Sequence, residues 1–545
     1  MKKITGNFTF KQHDRIGDSS AEQDKAFLED CFIDNGSLQI LTNCSDSRAI
    51  IVGRTGAGKS ALLRRLQQVH EHIIEIEPES LAIGYISNST IITFFIEEIG
   101  VKMDLFYKLL WRHVFIVEIL KHHYKLYTEA EKISWFDKLG GLLLHKRGKI
   151  EAFQYLNQWG TKFWTTTEER IKETTTVLEK ELTANVGFSA SQLVTVKAGG
   201  KLNLSEQETK EFKKRGEDII NNIQMSRLST ILESLDEDIL TDPVRRYIIT
   251  VDRLDEKWVD EQIRCKLIRG LIETIRDFNS RVKHAKIIIA LRSDLIDRIY
   301  KVTSDSGFQQ EKYSSLNLEI YWNREDLIRL LDERVQRLVR HRYTKQIVTL
   351  KDILPGSIGR LSSNQSLIDY LLDRTLMRPR DAIEYLNLCL TEAVNAEVIT
   401  PQIIQSVEFK HSQQRIDALT YEWSFKIPNL IIMTRFLKGF PPHFKLDKLS
   451  QTFFDGMCLE LMTNGKEGED LEIFQKYFCE QISLIDLRRF YIESLYTIGI
   501  FGIKLETHMS TLWSQKGPIT LSASTLNDDV ALSIHKTFWR VLGVN

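Results

Sequence analysis

Between two apolar runs, Ala49–Val52 and Ala61–Leu66, the chain carries the string GRTGAGKSA, and no other feature restricts its fold as strongly. The first run reads as a short buried strand and the second as the apolar face of a helix. The string therefore sits where a strand hands over to a helix N-terminus. Gly53, four further residues, then Gly58, Lys59 and Ser60 have the spacing of a phosphate-binding loop. Gly53, Gly56 and Gly58 let the backbone curl so that successive N–H groups converge on a phosphate, where side chains would block the approach. Gly53, Arg54, Thr55, Gly56, Ala57 and Gly58 form the expected cradle, with Lys59, Ser60 and Ala61 at the helix start. Lys59 is expected to reach the β- and γ-phosphates of a nucleoside triphosphate, and Ser60 to offer its hydroxyl to Mg²⁺. The fold this demands is an α/β core whose parallel sheet binds its ligand beyond the carboxyl ends of the strands.

A second string, YIITVDRLDEKW from Tyr247 to Trp258, fits the same core. Tyr247–Val251 is a short, mostly apolar, β-prone run, read as a buried parallel strand with Asp252 at its carboxyl end. Asp252 is thereby placed to hold Mg²⁺ through water, and Asp255 or Glu256 to orient an attacking water near the γ-phosphate. A third apolar run, KIIIALRSDLIDRI from Lys286 to Ile299, reads as another buried strand ending in polar residues. Further on, Asn323 reads as a helix cap in YWNREDLIRLL, and Pro379 stands in the first turn of MRPRDAIEYLNLCLTEA.

Two classes of phosphate-loop protein recede by absence. No NKxD string follows the acidic strand, as a GTPase requires. The nearest approach to LSGGQ is LSEQE at Leu204–Glu208, which lacks the glycines that approach a nucleotide in ABC ATPases. In VDRLDE, Arg253 stands where typical AAA+ ATPases have a glutamate, and the DxxDE spacing resembles the DGLDE of STAND NTPases. Taken in order, GRTGAGKSA, VDRLDEKW, ALRSDL, YWNREDL, RPRDAIEYLN, IGIFGI and IHKTFWRVLGV resemble a family of bacterial AAA+/STAND-like P-loop ATPases over nearly the whole chain. The resemblance implies a P-loop core, a helical lid, a C-terminal winged helix, ATP with Mg²⁺ as cofactors, and ATP hydrolysis that gates assembly. Many members lie beside defence or mobile-element genes. It also implies that Arg380 or Arg378 is the lid arginine that touches the nucleotide. Arg292 or Arg298 would be a phosphate sensor or a finger offered to a neighbouring subunit.

Five segments are expected: an N-terminal segment with the first part of the core over 1–76, a mainly helical insertion over 77–242, the second part of the core over 243–320, a helical lid over 321–400, and a winged-helix-like domain over 401–545. Within the insertion, Ser205 and Glu208 form a capping box for a long helix, and Gln192–Leu204 reads as a β-hairpin turning at Gly199 and Gly200. In the last segment, Asp486–Glu506 reads as a helix followed by a strand, with Gly517–Ser524 as the return strand. Arg488 and Arg489, with Lys504 or Lys516, would meet phosphates if that domain gripped DNA. The acidic residues among them and a net charge of −1 give no basic footprint, so a protein-interaction role is favoured there.

Six cysteines without CxxC spacing argue against zinc and against a disulfide framework, and fit buried thiols in a reducing cytoplasm. No apolar run reaches the ~18 to 20 residues of a membrane span. The expectation is an ATP-hydrolysing switch, homo-oligomeric when assembled and acting in antiphage defence with a separate effector protein. The alternatives are a DNA-processing motor or loader, and an ATP-binding scaffold or sensor with little turnover.

Overall fold

In the computed structural model the described residues are 8–77, 94, 99–100, 103–125, 176, 179–180, 183–184, 186, 189–197, 204–222, 231–242, 244–256, 261–303, 311–359, 364–506, 508–514, 521–522, 525–527 and 529–544. They group into two compact units. One comprises Asp34–Arg54 and Lys59–Ile320; the other comprises Met1–Ile33, Thr55–Gly58 and Tyr321–Asn545.

The first unit is built on a five-stranded parallel sheet of β1 (Ile50–Gly53), β2 (Ile73–Ile76), β3 (Tyr247–Val251), β4 (Ala285–Arg292) and β5 (Asn317–Glu319), in the order β2-β3-β4-β1-β5. β1 and β3 are buried along their whole length, which is why they read as unbroken apolar runs instead of alternating ones. From β1 the chain runs through α1 (Lys59–Val69) to the far edge at β2, then steps back through β3 and β4. From β4 it passes β1 to reach β5. Right-handed crossovers that leave in opposite directions put α1 on one face of the sheet. On the other lie α2 (Asp104–Tyr124), α5 (Glu261–Arg281) and α6 (Ser293–Val302). The contacts agree: α5 packs on α2 and α6, while α1 packs on the short helix Ser37–Thr42. Tyr107, Trp111 and Phe115 of α2 are fully buried, and Trp111 Nε1 donates to the Leu267 carbonyl at 3.0 Å. Gly270 permits this approach, since a Cβ there would lie 2.9 Å from Tyr107 Cβ.

Two expectations for the insertion are corrected or confined. The hairpin expected from Gln192 is instead a helix, α3 (Ala190–Lys197), with Val196 buried in the core of the sheet unit and Val194 exposed. Its alternation of Val and Thr fits a strand, but packing of one side on the core decides in favour of a helix. Residues 198–203 lie outside the described set. Ser205 and Glu208 do form a reciprocal capping pair, at 2.9 and 3.3 Å, at the start of α4 (Glu206–Asn222).

The second unit is mainly helical: α7 (Arg324–Arg342), α8 (Leu367–Leu372), α9 (Pro379–Glu392), α10 (Glu408–Glu422), α11 (Leu430–Arg435), α12 (Gln451–Asn464), α13 (Glu469–Phe478) and α14 (Leu484–Ile498). Asn323 caps α7 by accepting from Asp326 N at 2.8 Å, and Pro379 opens α9. Its apolar residues form two clusters, one running to Val407 and the other including Leu376 and continuing from Ile416 onward, so the division falls within α10 instead of at residue 400. The N-terminal residues Phe10 and Ile16 pack into the first of these clusters rather than into the sheet unit.

Strand β6 (His443–Lys445) follows α11, and β7 (Phe501–Lys504) follows α14, which ends at Gly499 with φ 97°. Among the described residues the strand that returns beside β7 is β8 (Ala531–Ile534), and the antiparallel order is β6-β8-β7. Register explains the choice: Leu532 and Ile534 pair with Ile503 and Phe501 and bury their side chains in one core. Most of 517–524 and all of Lys516 lie outside the described residues. No helix among the described residues is long and apolar enough to cross a membrane.

Candidate functional site

In an open parallel sheet the ligand crevice lies at the carboxyl edge where neighbouring strands send their connections in opposite directions. Here that point is between β1 and β4. Their register places Gly53 opposite Arg292. On the other side of β4, β3 ends at Val251 and delivers Asp252. Three adjacent strand ends therefore carry a glycine-rich loop, an arginine and a carboxylate.

Within the sheet unit, Lys59 Nζ donates to the carbonyls of Gly53 and Arg54, each at 3.1 Å, and so arches back over the loop it follows. The Ser60 hydroxyl hydrogen-bonds Asp252. Burial raises the carboxyl pKa of Asp252, and nearby Asp255 adds to the rise. The Arg253 N–H, donating at 2.9 Å, and the Ser60 hydroxyl oppose it. Directly after Asp252, Arg253 adopts φ 57°, a left-handed conformation uncommon for a residue with a side chain. This sharp turn separates the fates of the next two acids. Asp255 lies 3.8 Å from Arg292 Nη1, whereas Glu256 lies 3.8 Å from Arg253 Nε. Lys257 and Trp258 lie outside the described residues.

Arg292 itself is held by Asp294, with Nε and Nη2 donating to its carboxylate at 3.0 and 2.8 Å. Arg298 stands six residues further along, half-buried on α6, and is not brought to the Arg292–Asp255 group by any described contact. Arg264, buried on α5, donates to the carbonyls of Asp255 and Glu256 at 3.2 and 2.8 Å and fixes their turn. Sequence reasoning missed Arg264 and Asp294. Asp294 was within reach as the carboxylate two residues after the arginine in LRSD, but Arg264 carries no local signal because its partners are backbone atoms.

The crown of the loop, Thr55–Gly58, has its contacts within the helical unit. Gly56 and Gly58 have φ of 77° and 96°, as a curled loop requires. The Trp322 indole N–H donates to the Ala57 carbonyl at 2.8 Å, another contact that sequence reasoning missed. Arg380 lies on Gly56, where a Cβ would meet its side chain at 2.9 Å, and its Nε donates to the Ser19 carbonyl at 3.4 Å. Arg378, buried at the cap of α9, donates from Nη1 to the Thr55 carbonyl at 3.1 Å and to Glu422 at 3.3 Å. Arg378 Nε and Nη2 and Thr55 Oγ1 have no hydrogen-bond partner among the described residues. Buried donors left in this state are costly unless an acceptor comes to them. No group of three or more His, Cys, Asp or Glu side chains among the described residues is arranged to hold a metal.

Two of the residues expected to meet DNA have partners within the domain. Arg488 Nε donates to the Leu449 carbonyl at 2.8 Å, and Arg489 lies 3.2 Å from Asp486. Of the six cysteines, Cys479 is exposed and the other five are buried as free thiols.

Residues 325–420 match the FunZ-associated C-terminal helical domain. Along 99% of its length the chain is similar, at 25% identity, to the putative transposon gamma-delta 80.3 kDa protein of Escherichia coli (strain K12), of which it covers 68%.

Proposed function

We propose that this chain is an ATP-hydrolysing P-loop protein of the AAA+/STAND kind, working as a nucleotide-gated switch. The observation that carries the reading is the hydrogen bond between Ser60 and Asp252, made by two residues 192 positions apart in the sequence. A serine closing a glycine-rich loop and a half-buried carboxylate at the end of β3 are the pair that a phosphate-bound Mg²⁺ needs. Burial that penalises the ionised form of Asp252 supports it further, since a divalent cation would relieve that penalty.

Bound ATP and Mg²⁺ would supply the phosphoryl group and the charge that polarises it. The chain's own residues supply position and field. Lys59 would exchange its two loop carbonyls for phosphate oxygens, and the amides around Gly56 and Gly58 would face the same charge. Asp255, oriented by its turn and lying near Arg292, is the better candidate to position water, and Glu256 turns toward Arg253 instead. Arg292 is the sensor candidate over Arg298, because it shares a register with the loop's first glycine. For the lid arginine, Arg378 with its unpartnered donors is favoured over Arg380, whose side chain covers Gly56. In this reading β6–β8 and α14 form a winged helix that meets protein. The similarity to a putative transposon protein supports a mobile-element setting; a role in antiphage defence with a separate effector as partner belongs to the same proposal.

The test is ATP turnover and particle mass on one sample, with and without double-stranded DNA, for the parent chain, Lys59→Ala, and Asp255→Asn with Glu256→Gln. Lys59→Ala is expected to lower turnover by at least 100-fold. Turnover confined to an assembled particle and indifferent to DNA supports the switch. A severalfold rise with DNA transfers the conclusion to the motor or loader, and tight binding with negligible turnover to the scaffold.

A further inference from the structure

At the amino-terminal edge of the sheet, away from the strand ends that carry Lys59 and Asp252, lies an open cavity of about 1000 Å³. His70 and His72 line it from the turn between α1 and β2, His122 and Lys125 from the end of α2, and Arg245 and Arg246 from the approach to β3. Glu71 and Asp242 also face it, so three fixed cations meet two carboxylates, with three imidazoles added.

Helix C-termini attract cations, and that accounts for His70, His122 and Lys125 without any ligand. It does not account for Arg245 and Arg246, which precede a strand. Arg245 lies over the Tyr247 ring, 5.4 Å from its centroid, and its buried Nε has no hydrogen-bond partner among the described residues. A buried guanidinium N–H without an acceptor is costly, and a bound anion is the group that would satisfy it. The imidazoles are gathered there too, since His72 acts electrostatically on both His70 and His122.

We propose that this cavity binds a phosphate-bearing anion of nucleotide size, at a site separate from the glycine-rich loop. Arg245 and Arg246 supply forked donors, and Lys125 adds a point charge. Phosphate is favoured over carboxylate by the histidines. A phosphomonoester exchanges its second proton near pH 6, in the range of imidazole, so proton sharing is available to it and not to a carboxylate. Burial holds His70 and His122 toward their neutral forms. Glu71 opposes this at His70, where His72 and Arg246 reinforce it; Glu118 opposes it at His122, where Lys121 and His72 reinforce it. A dianion in the cavity would reverse the balance and draw protons onto the cluster.

The test uses the full chain carrying Lys59→Ala, so that loop binding is disabled, and pyrophosphate as the probe. Carbethoxylation of each histidine is followed by peptide mass, with the exposed His13 as reference. Pyrophosphate is expected to slow modification of His70, His72 and His122 at least fivefold and leave His13 unchanged. The protection should vanish in Arg245→Ala with Arg246→Ala, and in Arg246→Glu, whose exposed position makes misfolding a poor explanation. No protection in the parent, or protection that survives Arg246→Glu, overturns the site. A short oligonucleotide that reproduces the protection assigns the phosphate to a nucleic-acid backbone; an oligonucleotide without effect assigns it to a free small ligand.

Discussion

Among the described residues of the sheet unit no buried carboxylate answers the buried cations: β3 is wholly buried and apolar but for Thr250, Lys286 and Arg264 are satisfied by backbone carbonyls, and the acids of the candidate site stand beyond the end of β3. In the helical unit charge is built into the interior. Arg334 pairs with Asp24, Arg374 with Glu408 and Arg415 with Asp381, at 2.5, 2.6 and 2.7 Å, with every one of these side chains less than a tenth exposed. The two interiors choose their packing by different physics. Apolar strands are held by the area they remove from water and tolerate small changes of shape. Helices joined by buried ion pairs are held to one arrangement, because any other leaves a desolvated charge without its partner.

Breaking one such pair is the largest effect expected. Arg415 joins α10 to α9 through Asp381 and also pairs with Glu384. Burial raises the pKa of Asp381, but Arg415 and Arg378 outweigh that and hold the carboxyl below its usual range. Arg415→Met would strand a carboxylate that is 1% exposed, at a cost of about 3–5 kcal/mol in urea unfolding of the helical unit. Adding Asp381→Asn should recover part of it. A cost below about 1 kcal/mol for the single change would break the comparison, by showing that packing and not charge holds α9 to α10.

The matching experiment in the sheet unit changes shape and leaves charge alone. Gly270→Ala puts a Cβ 2.9 Å from Tyr107 Cβ and 3.4 Å from its backbone carbon, neither of which can swing away like the end of a long side chain. Overpacking costs about 1–3 kcal/mol, and the better helix propensity of alanine returns up to ~1 kcal/mol. A net loss of about 1–2 kcal/mol, read as a lower urea midpoint for the sheet unit, is expected. A gain would mean that α2 can move off α5, and that the apolar interior is looser than the burial of Trp111 implies.

The same contrast explains what could be read from the chain beforehand. Ile50–Gly53, Tyr247–Val251 and the Ser205 and Asn323 caps follow from local patterns, because an apolar run or a capping residue carries its own reason. The ion pairs do not: Arg415 and Asp381 are 34 residues apart, and each reads as part of a solvated helix face. The candidate site divides in the same way. Its loop and carboxylates announce themselves, but the pairing of Gly53 with Arg292 depends on β4 lying between β1 and β3, which no local pattern encodes. Ala190–Lys197 misleads for a related reason, since its β-branched residues satisfy a strand pattern until a tertiary contact buries Val196 from a helix.

The smallest effects lie in pH, and their signs separate the units. His411 is fully buried against Tyr385, with ring centroids 4.3 Å apart, and faces Arg415, Asp381, Glu408 and the Arg374 carbonyl. Burial, reinforced by Arg415, pushes its pKa down to about 4. The unfolded chain therefore binds a proton near pH 6.5 that the folded chain refuses. Stability is full above that pH and falls as pH drops from about 6.5 to 4, by at most ~1.4 kcal/mol per pH unit for one group. Lys286, on β4, is buried and donates to the Ile40 and Asn43 carbonyls at 2.9 and 2.8 Å. Burial pushes its pKa down to about 8, against the pull of Asp46 and Cys44. Here the unfolded chain keeps its proton up to about pH 10.4, so the sheet unit gains stability as pH rises from 8 toward that value. Labelling of the buried thiols Cys389 and Cys265 by a dithiodipyridine reports opening of each unit in its own peptide. Acid should speed labelling at Cys389, and His411→Gln should flatten that response while leaving Cys265 unaffected. Alkali should slow opening at Cys265 relative to Lys286→Met at the same pH. If acid opened both thiols equally, with and without His411, the two units would unfold as one, and the difference between their interiors would have no thermodynamic consequence.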